Sequence, residues 1–151
     1  MTRRPSRVQA AVRREYGILA PVYERIWARY LRASIDRTLD RVPRASGLRV
    51  LDVGCGTGLL LDRIRSRQPD VELEGVELSP AMLARARERL GSSATLRVGS
   101  AHALPHPDGR FDVLTSSSML HDVAHDHATV IREWLRVVRP GGTIVVTDWN
   151  P

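Results

Sequence analysis

Three glycines at alternate positions, Gly54, Gly56 and Gly58, close the run Val50-Leu-Asp-Val-Gly-Cys-Gly-Thr-Gly58, and a carboxylate, Glu77, stands nineteen residues beyond the last of them. Glycine carries no Cβ, so such a loop can turn sharply and bring backbone N–H groups against a ligand. A carboxylate at the end of the neighbouring strand can accept two hydrogen bonds from a ribose diol. Together they predict a site for a nucleoside-bearing cofactor. Two details bear on which one. Position 59 is leucine where a dinucleotide-binding turn carries its third glycine, and Asp52, two residues before Gly54, would repel a pyrophosphate but suit an ammonium group.

Proton chemistry points elsewhere. Met119-Leu-His-Asp122 follows a strand, and His121 is the candidate base, because imidazole exchanges protons near neutral pH. The same histidine can instead hydrogen-bond within its own loop. His121, Asp122, His125, Asp126 and His127 also read as metal ligands or as helix-capping acids beside solvated histidines, and no metal is assigned. Cys55 fits as a small side chain of the glycine loop rather than a nucleophile. Tyr16, Tyr23 and Trp27 either touch a substrate or pack a helix.

These residues need elements to position them. The stretch Arg49–Val53 reads as a strand, 59–67 as a helix, Val71–Glu77 as a strand, and Ser79-Pro80 as a capped helix start closed by Gly91. Strands follow at 95–98, 111–115 and 143–147. A helix at 126–138 places Val130, Ile131, Trp134, Leu135 and Val138 on one stripe. Alternation of strands and helices with short connections implies an α/β fold, a parallel sheet with helices on both faces. Upstream, a basic helix near 8–15, a break at Tyr16–Ala20 and one amphipathic helix over 21–41 are expected, with Pro21 at its first position.

Composition excludes several classes. At 151 residues and 42% hydrophobic content the chain suits one domain, its longest aliphatic runs fall far short of a membrane span, and its first residues lack the apolar stretch expected of a secretory signal. One cysteine excludes an intrachain disulfide, so a reducing, cytoplasmic setting is expected. All 23 basic residues are arginine. Residues 1–48 hold 11 of them against 4 acids, and residues 49–151 hold 12 against 13 acids, so the excess positive charge belongs to the N-terminal segment. That segment could meet an anionic substrate, a membrane surface or nucleic acid, or be a solvated face.

In order, Val50–Gly58, Gly75-Val-Glu-Leu-Ser-Pro-Ala-Met-Leu83, Ala103-Leu-Pro105 with Phe111-Asp-Val113, and Leu135-Arg-Val-Val-Arg-Pro-Gly-Gly142 resemble the successive motifs of class I S-adenosylmethionine-dependent methyltransferases. The nearest subgroup is similar to the small-molecule methyltransferases of ubiquinone and menaquinone biosynthesis. The resemblance implies a Rossmann-like, doubly wound sheet of order 3-2-1-4-5, with the last two of seven family strands missing. It implies a helical lid over 1–46 and an S-adenosylmethionine-binding core over 47–151. Gly54, Cys55 and Gly56 would hold the methionine portion, with Asp52 near its ammonium and Thr57 and Gly58 completing the loop. Glu77 would bind the ribose, Leu78 would pack on adenine, and Ser100 and Ala101 would meet the adenine edge. Thr115, Ser116 and Ser117 would line the reacting side. Family members usually carry Asp where this chain has Ser100, a weaker acceptor for the adenine amino group.

Methyl transfer is an in-line displacement that extinguishes the sulfonium charge. A carboxylate at the sulfur would favour the ground state, so Asp52 and Glu77 are expected at the two ends of the cofactor. The implied activity is methyl transfer to a small molecule. The alternatives are a non-catalytic cofactor-binding module, a nucleic-acid methyltransferase, and a nicotinamide-dependent oxidoreductase, against which Leu59 and Asp52 argue. No separate RNA-binding motif is present. The chain stops just after the fifth strand, which leaves 143–147 as an apolar edge. Either the sequence is part of a longer gene product or a second copy covers that edge as a homodimer.

Overall fold

Ser6 opens the first helix with a capping box: its hydroxyl accepts the Gln9 N–H (3.2 Å), and the Gln9 carboxamide oxygen accepts the Ser6 N–H (3.0 Å). Two donors that a helix start leaves bare are thereby satisfied. The computed structural model describes residues 6–123 and 126–149. Its helices upstream of the sheet are α1 (Arg7–Leu19), α2 (Tyr23–Ile26) and α3 (Ala28–Leu39).

This differs from the expected break and single long helix. Gly17 costs a helix interior only about 1 kcal/mol, and α1 runs through it to Leu19. The interruption falls instead at Ala20–Val22 and again at Trp27 (φ −102°, ψ 14°), so Pro21 sits in a turn. The jog has a packing reason. Tyr16 and Tyr23 turn toward one end of the sheet, whereas Leu31, Ile35 and Leu39 of α3 are buried in the main core.

The sheet comprises β1 (Arg49–Val53), β2 (Glu72–Glu77), β3 (Thr95–Val98), β4 (Phe111–Ser117) and β5 (Val138–Thr147), all parallel, in the order β3-β2-β1-β4-β5. Three further helices connect them: α4 (Leu59–Arg67), α5 (Pro80–Leu90) and α6 (His127–Val137). On one face Val50, Leu73 and Val113 pack with α3, α4 and α5; on the other, Leu51, Val53, Val76 and Leu114 pack with α6. Residues alternate between faces along each strand, which is why the central strands read as nearly continuous apolar runs.

Two patterns depart from expectation. In α6, Val130 and Trp134 are buried, but Ile131 and Leu135 are 43% and 62% exposed, so the apolar stripe is narrower than its spacing predicts. In β5 the strand begins at Val138 and carries Pro140-Gly-Gly142 as a bulge, the register passing from Phe111↔Val138 to Val113↔Thr143. A Cβ on Gly142 would lie 2.5 Å from Val138 Cγ1 and 2.9 Å from the Asp112 carbonyl oxygen, so only glycine closes that bulge. β3 and β5 form the edges of the described sheet.

Candidate active site

The strand order reverses beside β1, whose successors β2 and β4 lie on opposite sides of it. At such a switch point the loops leaving the carboxyl ends of β1 and β4 part and leave a crevice. Here that crevice is a cleft of about 730 Å³ counting its open mouth.

Its floor is the glycine loop. Gly54 (φ +75°) and Gly56 (φ +52°) both line the cleft in a backbone conformation that L side chains rarely adopt. A Cβ on Gly54 would fall 2.6 Å from Met119 Cγ, so the loop can approach the turn after β4 only without a side chain there. Glu77, at the tip of β2, holds the loop open. Its Oε2 accepts the Gly56 N–H (3.0 Å) and its Oε1 the Ser79 N–H (2.7 Å). Burial pushes the Glu77 carboxyl above its ordinary range, against the pull of those N–H donors.

Leu78, Met82 and Ala101 supply apolar wall, and Ser100 stands at the far edge. The Ser100 hydroxyl accepts the Gln9 carboxamide N–H (3.0 Å) and the His102 backbone N–H (3.2 Å). At the other end lie Ser117, Ser118, Asp122, Tyr16 and Tyr23. The Tyr16 hydroxyl donates to Asp122 Oδ2 at 2.7 Å, and the two tyrosine rings meet edge to face with centroids 5.9 Å apart. Burial, reinforced by Asp122, raises the Tyr16 phenol, and burial carries Tyr23 up to about 12. Ser118 sits at φ +59°, fixed by its N–H to the Thr147 carbonyl (2.7 Å) and its hydroxyl to Tyr30 (2.9 Å). A non-glycine residue in that region costs roughly 1–3 kcal/mol and persists only where its surroundings impose it.

Of the expected site residues, Gly54, Gly56, Glu77, Leu78, Ser100, Ala101, Ser117, Tyr16 and Tyr23 line the cleft. Others do not. Asp52 is 2% exposed under the loop, where its carboxylate accepts the Thr115 hydroxyl (2.8 Å), and burial pushes it up to about 7. It faces the α3–α5 side because residues two apart share a face, which places it with Val50 and away from the cleft. Thr115 is spent on that bond, and Ser116 donates to the Val53 carbonyl (3.0 Å). Cys55 is buried beside Gly75, where burial raises its thiol. Thr57 accepts from Arg89 through its carbonyl (2.7 Å) and hydroxyl (3.1 Å), and Gly58 packs against Leu90 and Ala86. These residues build the loop from beneath.

Trp27 is turned outward, 48% exposed, and edges Tyr30 at 6.5 Å, so it lines no cleft. His121 also lies outside: its N–H and Nδ1 engage Asp148 (3.1 and 2.7 Å), and its Nε2 is 3.6 Å from Asp122 Oδ2. The neighbouring Asp122 is the side chain that enters. The metal alternative disperses: Asp122 binds Tyr16, His127 Nε2 donates to the Leu120 carbonyl (3.1 Å), and Asp126 lies 3.5 Å from His102. His125 lies outside the described residues. Gln9, Val12, Met82, His102, Met119 and Val123 line the cleft without a sequence signal, since each depends on how a helix or loop is laid over the sheet.

The sequence pattern of a methyltransferase domain matches residues 51–146, from within β1 to within β5, and so takes in nearly all of the sheet, the glycine loop and Glu77. The chain is 34% identical over 149 residues to a demethylmenaquinone methyltransferase of Deinococcus radiodurans, covering 93% of this chain and 61% of that protein. It is 36% identical to a malonyl-[acyl-carrier protein] O-methyltransferase of Halorhodospira halophila, covering 93% and 48%. The chain thus spans about half the length of such curated relatives. Among solved structures, the [4+2]-cyclase SpnF superposes with a TM-score of 0.82 at 26% identity, over 98% of this chain and 62% of that one. With its ordered motifs, its Rossmann-like sheet and the matched stretch in agreement, the chain belongs to the methyltransferase-domain family.

Proposed function

We propose that the chain binds S-adenosylmethionine along the Gly54–Glu77–Ala101 side of the cleft and transfers its methyl group to a small-molecule acceptor at the Tyr16–Asp122 end. The observation that carries this reading is Glu77: its carboxylate is pinned by two backbone N–H groups beside a loop bare of side chains, leaving its remaining lone pairs for a sugar diol. The residues present fit the cofactor in other respects. The cradle at Gly54 admits nothing as large as a methyl, and Leu78, Met82 and Ala101 offer apolar surface for a flat ring. Asp52 lies beneath the loop, outside the cleft.

When bound, the cofactor supplies an activated methyl and its own leaving group, so this chain's residues have to position and to move a proton. Asp122 is the carboxylate placed to take that proton from an acceptor hydroxyl or acidic carbon. Tyr16 orients it, and His121, held by Asp148, backs it from outside the cleft at 3.6 Å. Tyr23 and Tyr16 give the acceptor end an aromatic wall. An aromatic acceptor of quinol type agrees with that wall and with the name of the Deinococcus relative. The lid is residues 7–23; α3 is built into the core. A cytoplasmic setting suits the single buried thiol of Cys55.

Titration calorimetry with S-adenosylhomocysteine and with NAD tests the reading. Binding of the former and not the latter is expected. Glu77→Gln should weaken it by about 1–3 kcal/mol, because the amide can serve only one of the two N–H donors and is a poorer diol acceptor. NAD binding, or unchanged affinity in Glu77→Gln, would overturn it.

A further inference from the structure

The two faces of α1 differ in kind. Gln9, Val12 and Tyr16 share the stripe that lines the cleft. Arg7, Ala11, Arg14 and Ile18 share the opposite stripe, all exposed. The exposure runs on from the end of α1: Ile18 is 71% exposed, Val22 41%, Ile26 57% and Trp27 48%. Four large apolar side chains thus stand in water within ten residues, with Arg25 among them and Arg14 and Arg29 on either side. No helix among the described residues is long and apolar enough to cross a membrane.

The charge around this patch is in positive excess for a structural reason, with Glu15 the one acid of the segment that no arginine of the core draws away. Three of the four acids of the N-terminal segment are drawn to arginines of the core: Glu24 to Arg89 (2.8 Å), Asp40 to Arg67 (3.6 Å) and Asp36 to Arg63 (3.8 Å). Among the described residues, no arginine from Arg7 to Arg44 has a carboxylate oxygen within 4.0 Å. Eight of those that follow, such as Arg49, Arg110, Arg136 and Arg139, do. Positive charge and apolar tips are therefore presented together, on the outer side of the helices that roof the cleft.

We infer that this face, Arg14 to Arg29 with Ile18, Val22, Ile26 and Trp27 at its centre, docks on an anionic lipid bilayer. Guanidinium groups pair with lipid phosphates at the headgroup level while isoleucine and tryptophan enter the acyl boundary, the arrangement of an interfacial helix. Nucleic acid would satisfy the arginines and leave the four apolar side chains in water, which is why a bilayer is the better partner. Lipid binding itself requires neither cofactor nor acceptor, so it stands or falls apart from the methyl-transfer reading.

Sedimentation of the chain with vesicles of phosphatidylcholine and phosphatidylglycerol, against phosphatidylcholine alone, is the test. Binding only to the anionic vesicles is expected, with a blue shift of tryptophan emission that Trp27→Phe abolishes and a loss of binding at about 1 M salt. The variant Arg14→Gln/Arg25→Gln/Arg29→Gln should bind about a hundredfold more weakly, at about fivefold per charge. Ile18→Ser/Ile26→Ser should lose about tenfold or more. All five positions are exposed, so each variant should fold, which circular dichroism checks. Absence of binding to the anionic vesicles, or equal binding by both variants, overturns the inference. So does tighter binding of polyuridylate with no shift in Trp27 emission, which would make the face a nucleic-acid surface.

Discussion

Asp52 offers a test whose sign changes with pH. Its carboxyl is buried, has Thr115 as its hydrogen-bond donor at 2.8 Å, and is pushed by burial from 3.8 to about 7, with Glu77 adding to the rise. At about 1.4 kcal/mol per pH unit, that displacement corresponds to about 4 kcal/mol, an upper bound on the stability withheld from the charged form. The folded chain holds the proton more tightly than the unfolded one. This contribution is therefore intact below about pH 4, falls as pH rises toward 7, and is fully lost above. Asp52→Asn removes the titration and keeps an acceptor for the Thr115 hydroxyl, but buries an amide NH2 at a cost of about 1–2 kcal/mol. The variant should be less stable than wild type by about 1–2 kcal/mol near pH 4 and more stable by about 2 kcal/mol near pH 8. Urea unfolding followed by the fluorescence of buried Trp134 measures both. The difference between the two proteins isolates Asp52 from Glu77, which titrates in the same direction. Equal destabilisation at both pH values would refute the reasoning.

Two further predictions concern the cleft. Gly54→Ala should lose most S-adenosylhomocysteine affinity in calorimetry, because φ +75° strains the new residue and its Cβ meets Met119 at 2.6 Å. Unchanged affinity would show that the cradle is looser than it stands. Asp122→Asn should cut turnover by roughly 10²–10⁴-fold, the usual contribution of a positioned base, with S-adenosylhomocysteine affinity unaltered. Tyr16→Phe should cost less, about tenfold, since it removes one hydrogen bond to that carboxylate. If His121→Ala proved more damaging than Asp122→Asn, the order of the two along the proton path would be reversed.

The fold was legible because its signals are local. The glycine run at β1, the Ser79-Pro80 cap and the alternation of short apolar runs with helical stripes each follow from backbone sterics and side-chain period. Where the reading failed, the deciding contacts were remote in sequence. The helix expected over 21–41 breaks at Trp27 so that Tyr23 can face the cleft while Leu31 and Ile35 face the core. Ile131 and Leu135 share a helical stripe with Val130 and Trp134 yet stay exposed, because spacing fixes which residues lie together and not how wide a strip the sheet covers.

Residue types and their separation were enough to locate the glycine loop and its carboxylate, since both answer to the geometry of one strand and the next. Tertiary packing alone settled which polar groups meet in the cleft. It buried Asp52 under the loop and set His121 against Asp148, while it sent Asp122 inward to Tyr16, 106 residues away in the chain. His121 and Asp122 are neighbours in sequence held by different partners, the first by Asp148 and the second by Tyr16. Only the laying of α1 across the sheet decides which side is the cleft.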